Sequence, residues 1–389
     1  MKVVVVGAGV NGVTAAIELK QRGHEAVLID PGPVPHPLAA STDISKAVRA
    51  AYGADEDYSE LAEQSIERWR NWNREFGIDL YHEVGCLFLR HLEMRQGDFE
   101  FESLKIFEKR GHAVERIDAK NLRERFPAFS SEYFHENFLD REAGYVESGR
   151  TVATLVARAR SLGIDVRANA RFDALNESGG RIRGVVLMEG ETIPADKVVM
   201  ATGAWTPFVL PFTRKFLRST GHPVFHFKPA NPEIFLPHCF PFFGADISTT
   251  GYYGFPLNQG VVKIANHGPG REMSPDSAER IVTADEEGDV REFVKSRIPA
   301  LANAPIVYTR LCLYCDTHDG DFWIAPDPER DGLIVATGDN GHGFKFAPML
   351  GGIIADAVEE KENYWLQKFR WRPEVKPGVT KEAARFIGD

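Results

Sequence analysis

Residues 2–30, KVVVVGAGVNGVTAAIELKQRGHEAVLID, decide the fold. The stretch opens with a β-branched run, 2–6, which is typical of a strand buried on both faces. Apolar residues then follow helical spacing over 10–22, and Gly23 provides a natural end to that helix. A second apolar run, 25–30, completes the order strand, helix, strand, which predicts a βαβ unit. We therefore predict an α/β protein whose first domain is Rossmann-like.

A glycine-rich turn joins the first strand to the helix. The residues of this G-x-G-x-x-G turn are Gly7, Gly9, Val10, Asn11 and Gly12. The glycines let the backbone and the helix N-terminus approach a pyrophosphate, and Asp30, about 20 residues further on, can accept a bond from a ribose hydroxyl. This context predicts a bound dinucleotide, either FAD or NAD. The alternative is a glycine-rich turn that binds no nucleotide.

The composition narrows the classes of partner. The chain has 389 residues and a net charge of −10, which argues against a nucleic-acid partner because phosphate binding needs clustered lysine and arginine. No apolar run approaches the roughly 18 residues that span a bilayer, so we expect no membrane insertion. The apolar start, 1–10, lacks a basic segment and a cleavage site, and we expect a cytoplasmic protein.

The cysteines exclude a disulfide scaffold, because four in a chain of this length are too few and too scattered. Two of them, Cys312 and Cys315, form a Cys-x-x-Cys pair, for which redox chemistry and half of a zinc site are two interpretations. No second pair or nearby cysteine and histidine set completes a tetrahedral site. We predict no metal.

The α/β pattern of the first domain is interrupted by a different pattern and then resumes. A helix predicted over 58–76 is followed, up to residue 138, by short β-like runs and charged helical stretches. Helix and strand patterns typical of the first domain return near 151 and again at 332–358, whereas 207–308 is rich in Pro, Phe and Tyr with alternating apolar residues. We predict a second, substrate-binding domain on a mixed or antiparallel sheet. The predicted domains are 1–80, 145–205 and 310–389 for the nucleotide, and 81–144 and 206–309 for the substrate.

A second strand-to-loop crossing favours FAD over NAD. The apolar run 198–202 ends in Thr-Gly, as does the strand that passes beside FAD in two-domain flavoproteins. Thr202, Gly203 and Trp205 are therefore predicted to contact the cofactor. The alternative is a plain buried strand followed by a turn.

The segment VATGDNGHGFKF, 335–346, resembles the monomeric sarcosine oxidase and N-methyltryptophan oxidase family, within the D-amino-acid-oxidase-like flavoproteins. In that family the loop lies by the flavin pyrimidine. The resemblance therefore implies that Lys345 stabilises negative charge developing at flavin N1 and C2=O. It also implies cofactor contacts for Gly341, Gly343 and Phe344. The alternative for Lys345 is an exposed lysine at a helix start.

A second segment, YYGFP at 252–256 followed by Lys263 and His267, also resembles this family. The resemblance implies that Tyr253 lines the substrate pocket, that Lys263 lies over the flavin and helps to activate O2, and that His267 contacts a substrate carboxylate. The alternatives are the polar face of an amphipathic strand for Lys263 and a loop cap for His267.

The family resemblance singles out Cys312 within the run Cys-Leu-Tyr. It implies that the Cys312 sulfur is bonded to the flavin 8-methyl carbon, which would make the FAD covalent. The alternative for Cys312 is a small buried apolar residue.

The segment DISKAVRAAYG, 43–53, resembles the family stretch that ends in Arg-x-x-Tyr-Gly. The resemblance implies that Arg49 pairs with the substrate carboxylate. Ser45 and Lys46 are expected to contact the cofactor, and Lys46 also to orient the substrate. Where sarcosine oxidase has an arginine this chain has Lys46, and Asp-Ile-Ser-Lys is closer to fructosyl-amino-acid and pipecolate or saccharopine oxidases.

These observations predict an FAD-dependent oxidase of a secondary amine or N-substituted amino acid. Its expected partners are a small amine substrate and O2, in a monomer or small homo-oligomer. Two alternatives stay open at this point. One is an FAD-dependent dehydrogenase that passes electrons to a quinone or a protein, and the other is a flavin-binding protein without catalytic activity.

Overall fold

The computed structural model describes residues 1–247 and 249–374. In this part of the chain the α-helices are α1 Val10–Gln21, α2 Glu56–Phe76, α3 Phe99–Arg110, α4 Ala119–Arg125, α5 Ser148–Ser161, α6 Thr206–Val209, α7 Ala284–Arg297, α8 Ala347–Glu359 and α9 Tyr364–Phe369. None of these helices is long and apolar enough to cross a membrane.

The β-strands are short except for two long ones near the middle and the end of the chain. They are β1 Lys2–Val6, β2 Glu25–Ile29, β3 Lys46–Val48, β4 Tyr81–His82, β5 Cys86–Arg90, β6 Val114–Ile117, β7 Glu136–Asp140, β8 Gly144–Val146, β9 Asp165–Arg167, β10 Phe172–Ser178, β11 Arg181–Leu187, β12 Thr192–Pro194, β13 Lys197–Met200, β14 Leu217–Phe227, β15 Phe242–Ala245, β16 Tyr252–Asn258, β17 Val261–Asn266, β18 Arg271–Glu272, β19 Ile306–Thr317, β20 Trp323–Pro326 and β21 Leu333–Thr337.

The first sheet confirms the predicted βαβ unit. Its strand order is β20-β21-β13-β1-β2-β9, and all neighbours are parallel except β20 and β21. The parallel strands β1, β13 and β21 are adjacent, so the loops that follow them leave the sheet at one edge. This edge is where α/β proteins bind nucleotides.

Local side chains explain where helix α2 begins and how closely helix α8 packs. Helix α2 begins two residues before the predicted start because Asp55 caps it, accepting a bond from the Tyr58 backbone N–H at 3.1 Å. Helix α8 follows a 3-10 turn over Gly343–Phe346. It packs closely on α1, since a Cβ added at Gly351 would lie 2.7 Å from the Thr14 carbonyl oxygen.

The second large sheet is mixed, as predicted. Its order is β18-β14-β17-β16-β15-β5-β7-β6, with β19 paired to β14. All pairs are antiparallel except β15 with β5, which are parallel. The predicted domain boundary at residue 310 lies inside β19, which pairs with β14 along its whole length. The division into two domains stays a prediction.

The two faces of this sheet pack against different partners. Side chains alternate along a strand, so neighbouring residues point to opposite faces. On one face, Phe225, Phe227 and Ile264 belong to a cluster that includes apolar residues of α7. On the other face, Cys312 and Tyr314 pack together. We call these the core face and the site face.

Candidate active site

One pocket brings together seven of the predicted substrate and flavin residues. The predicted residues that line it are Lys46, Arg49, Tyr253, His267, Gly341, Phe344 and Lys345. The remaining lining residues include His342 and three apolar side chains, Phe88, Phe242 and Ile247. The pocket therefore lies between the site face and the loop that follows β21.

The glycine turn after β1 has the geometry that its sequence predicts. Gly7 has a φ of +102°, and a Cβ added at Gly12 would lie 1.8 Å from the Gly7 carbonyl oxygen, so neither position admits a side chain. The Asp30 carboxylate holds the turn by accepting the backbone N–H groups of Ala8 at 2.8 Å and Gly32 at 3.2 Å. Burial raises the pKa of Asp30, and these two bonds oppose that effect.

The N-terminus of α1 suits an anionic group such as a pyrophosphate. Its first turn, which contains Val10 and Asn11, carries no acidic residue, and the partial positive charge of a helix N-terminus favours an anion. The Asp339 carboxylate reaches this turn from another segment and accepts a bond from the Asn11 side chain at 3.3 Å. Above the turn, a Cβ added at Gly9 would meet only the Ser41 hydroxyl, at 3.3 Å. The Ser45 hydroxyl oxygen is buried without a hydrogen-bond partner in the described residues. These features fit a dinucleotide.

The loop after β13 lies against the glycine turn. A Cβ added at Gly7 would be 2.5 Å from the carbonyl oxygen of Ala201, the residue before Thr202. Gly203 has a φ of +50°, and the Trp205 indole N–H donates to the Asp276 carboxylate at 3.0 Å.

Lys345 is buried, with 3% of its surface exposed. The alternative of an exposed helix-start lysine is therefore wrong. Its Nζ donates to the Tyr52 hydroxyl at 2.7 Å and to the His342 carbonyl at 2.8 Å. Gly341 is required nearby, because it has a φ of +76° and an added Cβ would lie 2.1 Å from the Tyr314 ring.

Lys263 is also buried, and it forms an ion pair that the sequence did not reveal. Its Nζ lies 2.5 Å from Asp43 Oδ2 and donates to the Ser45 carbonyl at 2.7 Å. Burial lowers the pKa of Lys263 to about 8, although Asp43 opposes this. Burial would raise the pKa of Asp43, but the Lys263 charge holds it well below its ordinary value. Lys263 is therefore not a solvated lysine on the polar face of an amphipathic strand.

Cys312 lies on the site face beside a cation. Lys46 Nζ is 3.6 Å from Cys312 Sγ. Burial alone would raise the pKa of this thiol, but the charges of Lys46 and Arg310 outweigh it, and the net shift is downward. The arrangement favours a thiolate, which is the nucleophilic form of cysteine.

Cys315 differs from Cys312 in its surroundings. It packs with Leu217 and Trp323, and burial raises its pKa to about 12. All four cysteines carry thiols rather than disulfides. The described residues contain no group of three or more His, Cys, Asp or Glu that could hold a metal ion. The structure therefore offers no support for a zinc site at the Cys-x-x-Cys pair.

Arg49 borders the pocket, but one of its donors is already engaged. Its guanidinium donates to the Ala51 carbonyl, and it lies 4.9 Å from the centre of the Tyr52 ring and 5.2 Å from that of Phe99. These aromatic contacts orient the plane of the Arg49 guanidinium. Since a guanidinium has five N–H donors, others remain for a ligand carboxylate.

Aromatic side chains pack beside Cys312, and two of them, Tyr253 and His267, line the pocket. Burial raises the pKa of Tyr253, which is hydrogen-bonded to Tyr314. The Tyr314 ring stacks on His222 at 3.9 Å and lies 5.6 Å from the His267 ring. Neither Tyr314 nor His222 was predicted from the sequence. Tyr314 could have been predicted, because it is the last residue of the Cys-Leu-Tyr run.

Comparison with protein families and curated proteins gives consistent matches. The family model described as FAD dependent oxidoreductase (DAO) matches residues 2–357. L-saccharopine oxidase of Schizosaccharomyces pombe is 28% identical over 422 residues, covering 97% of this chain and 95% of the relative. Monomeric sarcosine oxidase of a Bacillus species is 25% identical, covering 97% and 98%. N-methyl-L-tryptophan oxidase of Escherichia coli is 25% identical, covering 94% and 97%.

Solved structures share the fold at lower sequence identity. Fructosamine oxidase (Amadoriase II) from Aspergillus fumigatus, solved in complex with FSA, has a TM-score of 0.85 and 22% identity, covering 99% of this chain and 93% of the other. L-proline dehydrogenase from P. horikoshii has a TM-score of 0.82 and 22% identity, covering 95% and 96%. At these identities the matches show the fold alone.

Proposed function

The chain belongs to the FAD dependent oxidoreductase family, and from that premise we propose that it oxidises a secondary amine or an N-substituted amino acid. In this proposal O2 receives the electrons and becomes H2O2. The observation that carries the proposal is the single pocket that brings Arg49, Lys46, Tyr253 and Lys345 together. Saccharopine, sarcosine and N-methyltryptophan, which the names of the relatives contain, are all N-substituted amino acids.

The chemistry requires positioning more than a strong base. FAD, when bound, would supply the acceptor for a hydride from the carbon beside the amine nitrogen, leaving an imine that water hydrolyses. The lone pair of an uncharged amine assists hydride loss, so the protein has to orient the substrate and stabilise charge. Arg49 and Lys46 would bind the substrate carboxylate, and Tyr253 and His267 would line the space around the substrate.

Lys345 and Lys263 would have separate electrostatic roles. The resemblance assigns Lys345 to the flavin pyrimidine, and its burial supports that role because a buried charge acts more strongly than a solvated one. Lys263 would serve O2, on which negative charge develops during reduction. The closeness of Lys263 to Asp43 means that this cation acts as a member of an ion pair.

Covalent attachment of FAD through Cys312 is part of the proposal. A thioether would form between Cys312 Sγ and the flavin 8-methyl carbon with loss of two hydrogen atoms, whose electrons O2 would receive. The Lys46 ammonium 3.6 Å from Sγ supports this role, because it favours the thiolate. Among the described residues, no cation lowers the pKa of Cys315 in this way, and burial raises it.

A dehydrogenase is the second candidate function, and the Asp43–Lys263 pair is the observation that favours it. A carboxylate 2.5 Å from the ammonium offsets part of the charge that would attract electron density towards O2. A dehydrogenase would pass its electrons to a quinone or a protein instead. It would not need an unpaired positive charge at the position of Lys263.

A substrate panel tests the proposal. N-methyl amino acids, cyclic imino acids and fructosyl amino acids are added separately to the purified flavoprotein, and H2O2 release is measured in air. The same compounds are added without O2 while flavin absorbance is followed. An oxidase bleaches anaerobically and releases H2O2 in air. Bleaching without H2O2 would establish the dehydrogenase, and no bleaching with any amine would support the non-catalytic alternative.

A further inference from the structure

A row of side chains crosses the site face from the protein interior to its surface. Phe255, Lys263 and His226 are direct cross-strand neighbours on β16, β17 and β14, and Tyr308 on β19 follows as the partner of His226. Direct cross-strand partners project from the same face of a sheet. Exposure increases along the row, from 1% at Lys263 to 7% at His226 and 50% at Tyr308.

The Asp43 carboxylate bridges the two titratable members of this row. Asp43 Oδ2 is 2.5 Å from Lys263 Nζ, and Oδ1 is 3.7 Å from His226 Nε2. The second distance is longer than a hydrogen bond, and the buried His226 Nε2 has no hydrogen-bond partner within the described residues. The His226 ring packs on the ring of Tyr308, with the centroids 5.0 Å apart. His226 thus lies between the ion pair and the solvent.

We propose that His226 carries protons between bulk water and Lys263 by way of Asp43, and so supplies the proton consumed when O2 is reduced. The inference rests on the proposed oxidase function. His226 acts through two other residues and is therefore a positioning residue rather than a catalytic one.

The balance of the reaction requires such a proton. O2 takes up two electrons and two protons to become H2O2. The hydride removed from the amine supplies both electrons and one proton. The second proton is released from the amine nitrogen when the iminium becomes the imine, so it has to reach O2 through the protein or through water. Lys263 is the buried donor in the row, and burial has brought its pKa to about 8, so its proton can be given up near neutral pH.

The ion pair explains how Lys263 would be recharged. Burial by itself raises the pKa of Asp43, and the positive charge of Lys263 is the main cause that keeps it low. Once Lys263 has lost its proton, burial dominates and the Asp43 carboxyl becomes a better proton acceptor. A proton can then pass from His226 to Asp43 and on to Lys263.

Other charged groups face the same row and are not part of the path. Lys46 and Arg310 both lower the pKa of Asp43, and Cys312 favours the charged form of Lys263. The Arg310 guanidinium is engaged with the carbonyl oxygens of Thr42 and Ala39. The proposed path uses His226 because it alone of these groups connects Asp43 to the exposed ring of Tyr308.

The first test measures proton movement without turnover. In the flavoprotein labelled with ¹⁵N at lysine Nζ, the ammonium signal of Lys263 is assigned by its loss in Lys263→Met, and its exchange with water is measured by NMR. His226→Gln, which keeps an N–H donor but does not relay protons at neutral pH, should slow that exchange about tenfold. The matched control is His112→Gln, since His112 Nε2 also pairs with a carboxylate, that of Glu63 at 2.8 Å, outside the site.

The second test measures reoxidation of the substrate-reduced protein by O2. His226→Gln should slow this step about tenfold and increase its solvent deuterium isotope effect, because proton delivery becomes limiting. Anaerobic reduction by substrate and all rates of His112→Gln should stay unchanged. His226→Asn replaces His226→Gln if the latter does not fold.

The outcomes separate this inference from the proposed function. Unchanged exchange in His226→Gln overturns the path. Slower exchange with unchanged reoxidation overturns its role towards O2. If the wild-type protein releases no H2O2 at all, the proposed function fails, while slower exchange would still support proton transfer through His226.

Discussion

The two faces of the large sheet differ in chemistry although the same strands form both. On the site face Cys312 lies 3.6 Å from the Lys46 ammonium and its pKa is lowered. Cys315 lies three residues further along the same strand, and its pKa is raised to about 12. Both thiols are at least 96% buried. Burial therefore does not decide the reactivity of these cysteines; the charges on the facing segments do.

The largest expected effect separates the two cysteines outright. Cys312→Ala should abolish covalent attachment of FAD, whereas Cys315→Ala should leave it complete, because a thiol with a pKa of about 12 holds only about one part in ten thousand as thiolate at pH 8. After acid precipitation, the yellow colour should move to the supernatant for Cys312→Ala alone. Colour lost from the pellet of Cys315→Ala instead would reverse the comparison.

The next effect concerns Lys263 on the site face and its sequence neighbour Ile264 on the core face. Lys263→Met keeps the apolar stem and removes the charge, so reoxidation by O2 should slow about a thousandfold, equal to about 4 kcal/mol. Anaerobic reduction by substrate should change little, and Ile264→Val should leave both steps unchanged. Stopped-flow measurement of flavin absorbance follows each step.

Lys263→Met leaves the Asp43 carboxylate buried without its partner, which is costly. The double variant Lys263→Met with Asp43→Asn removes that complication. Equal O2 reactivity in the wild type and both variants would show that the charge of Lys263 has no role in reoxidation, and would favour the dehydrogenase.

A smaller effect is expected when the cation beside Cys312 is removed. Lys46→Met should raise the pKa of Cys312, because Lys46 is the main opponent of burial there. Thiolate is present above the pKa, so attachment of added FAD to flavin-free protein should need a higher pH. At a fixed pH below the midpoint, attachment slows about tenfold for each unit by which the pKa rises.

The control for that measurement is Lys105→Met, because Lys105 is on α3 and its side chain is 55% exposed. The rate of attachment is followed from pH 6 to pH 10 by acid precipitation. An unchanged midpoint in Lys46→Met would mean that Lys46 does not activate the thiol.

The smallest effect is expected on the core face. Ile264→Val removes one buried methylene group and should lower the free energy of unfolding by about 0.5–1.5 kcal/mol. Covalent attachment and H2O2 release should not change, since Ile264 packs with Phe225 and Phe227 away from the pocket. Urea unfolding measures the loss. A change in H2O2 release would show that the faces are not independent.

Helices, strands and turns could be predicted from the sequence wherever neighbouring residues determine them. The βαβ unit, the helix α2 apart from its Asp55 cap, and the mixed sheet follow from spacing, turn residues and alternation. The Asp43–Lys263 and Lys46–Cys312 contacts could not be predicted in this way. Asp43 was visible in its motif, but its partner Lys263 lies on β17, 220 residues further along the chain, and only the packing of the segment before β3 on the site face brings the two together.

The topology of the parallel sheet also dictates when the cofactor site can exist as the chain is synthesised. The glycine turn is translated before β13 and β21, but β1 pairs on one side with β13, which in turn pairs with β21. Contacts between segments so far apart in sequence form late and slowly. FAD would therefore bind only after β21 has been translated, so nascent chains that stop before β21 should be unable to retain the flavin.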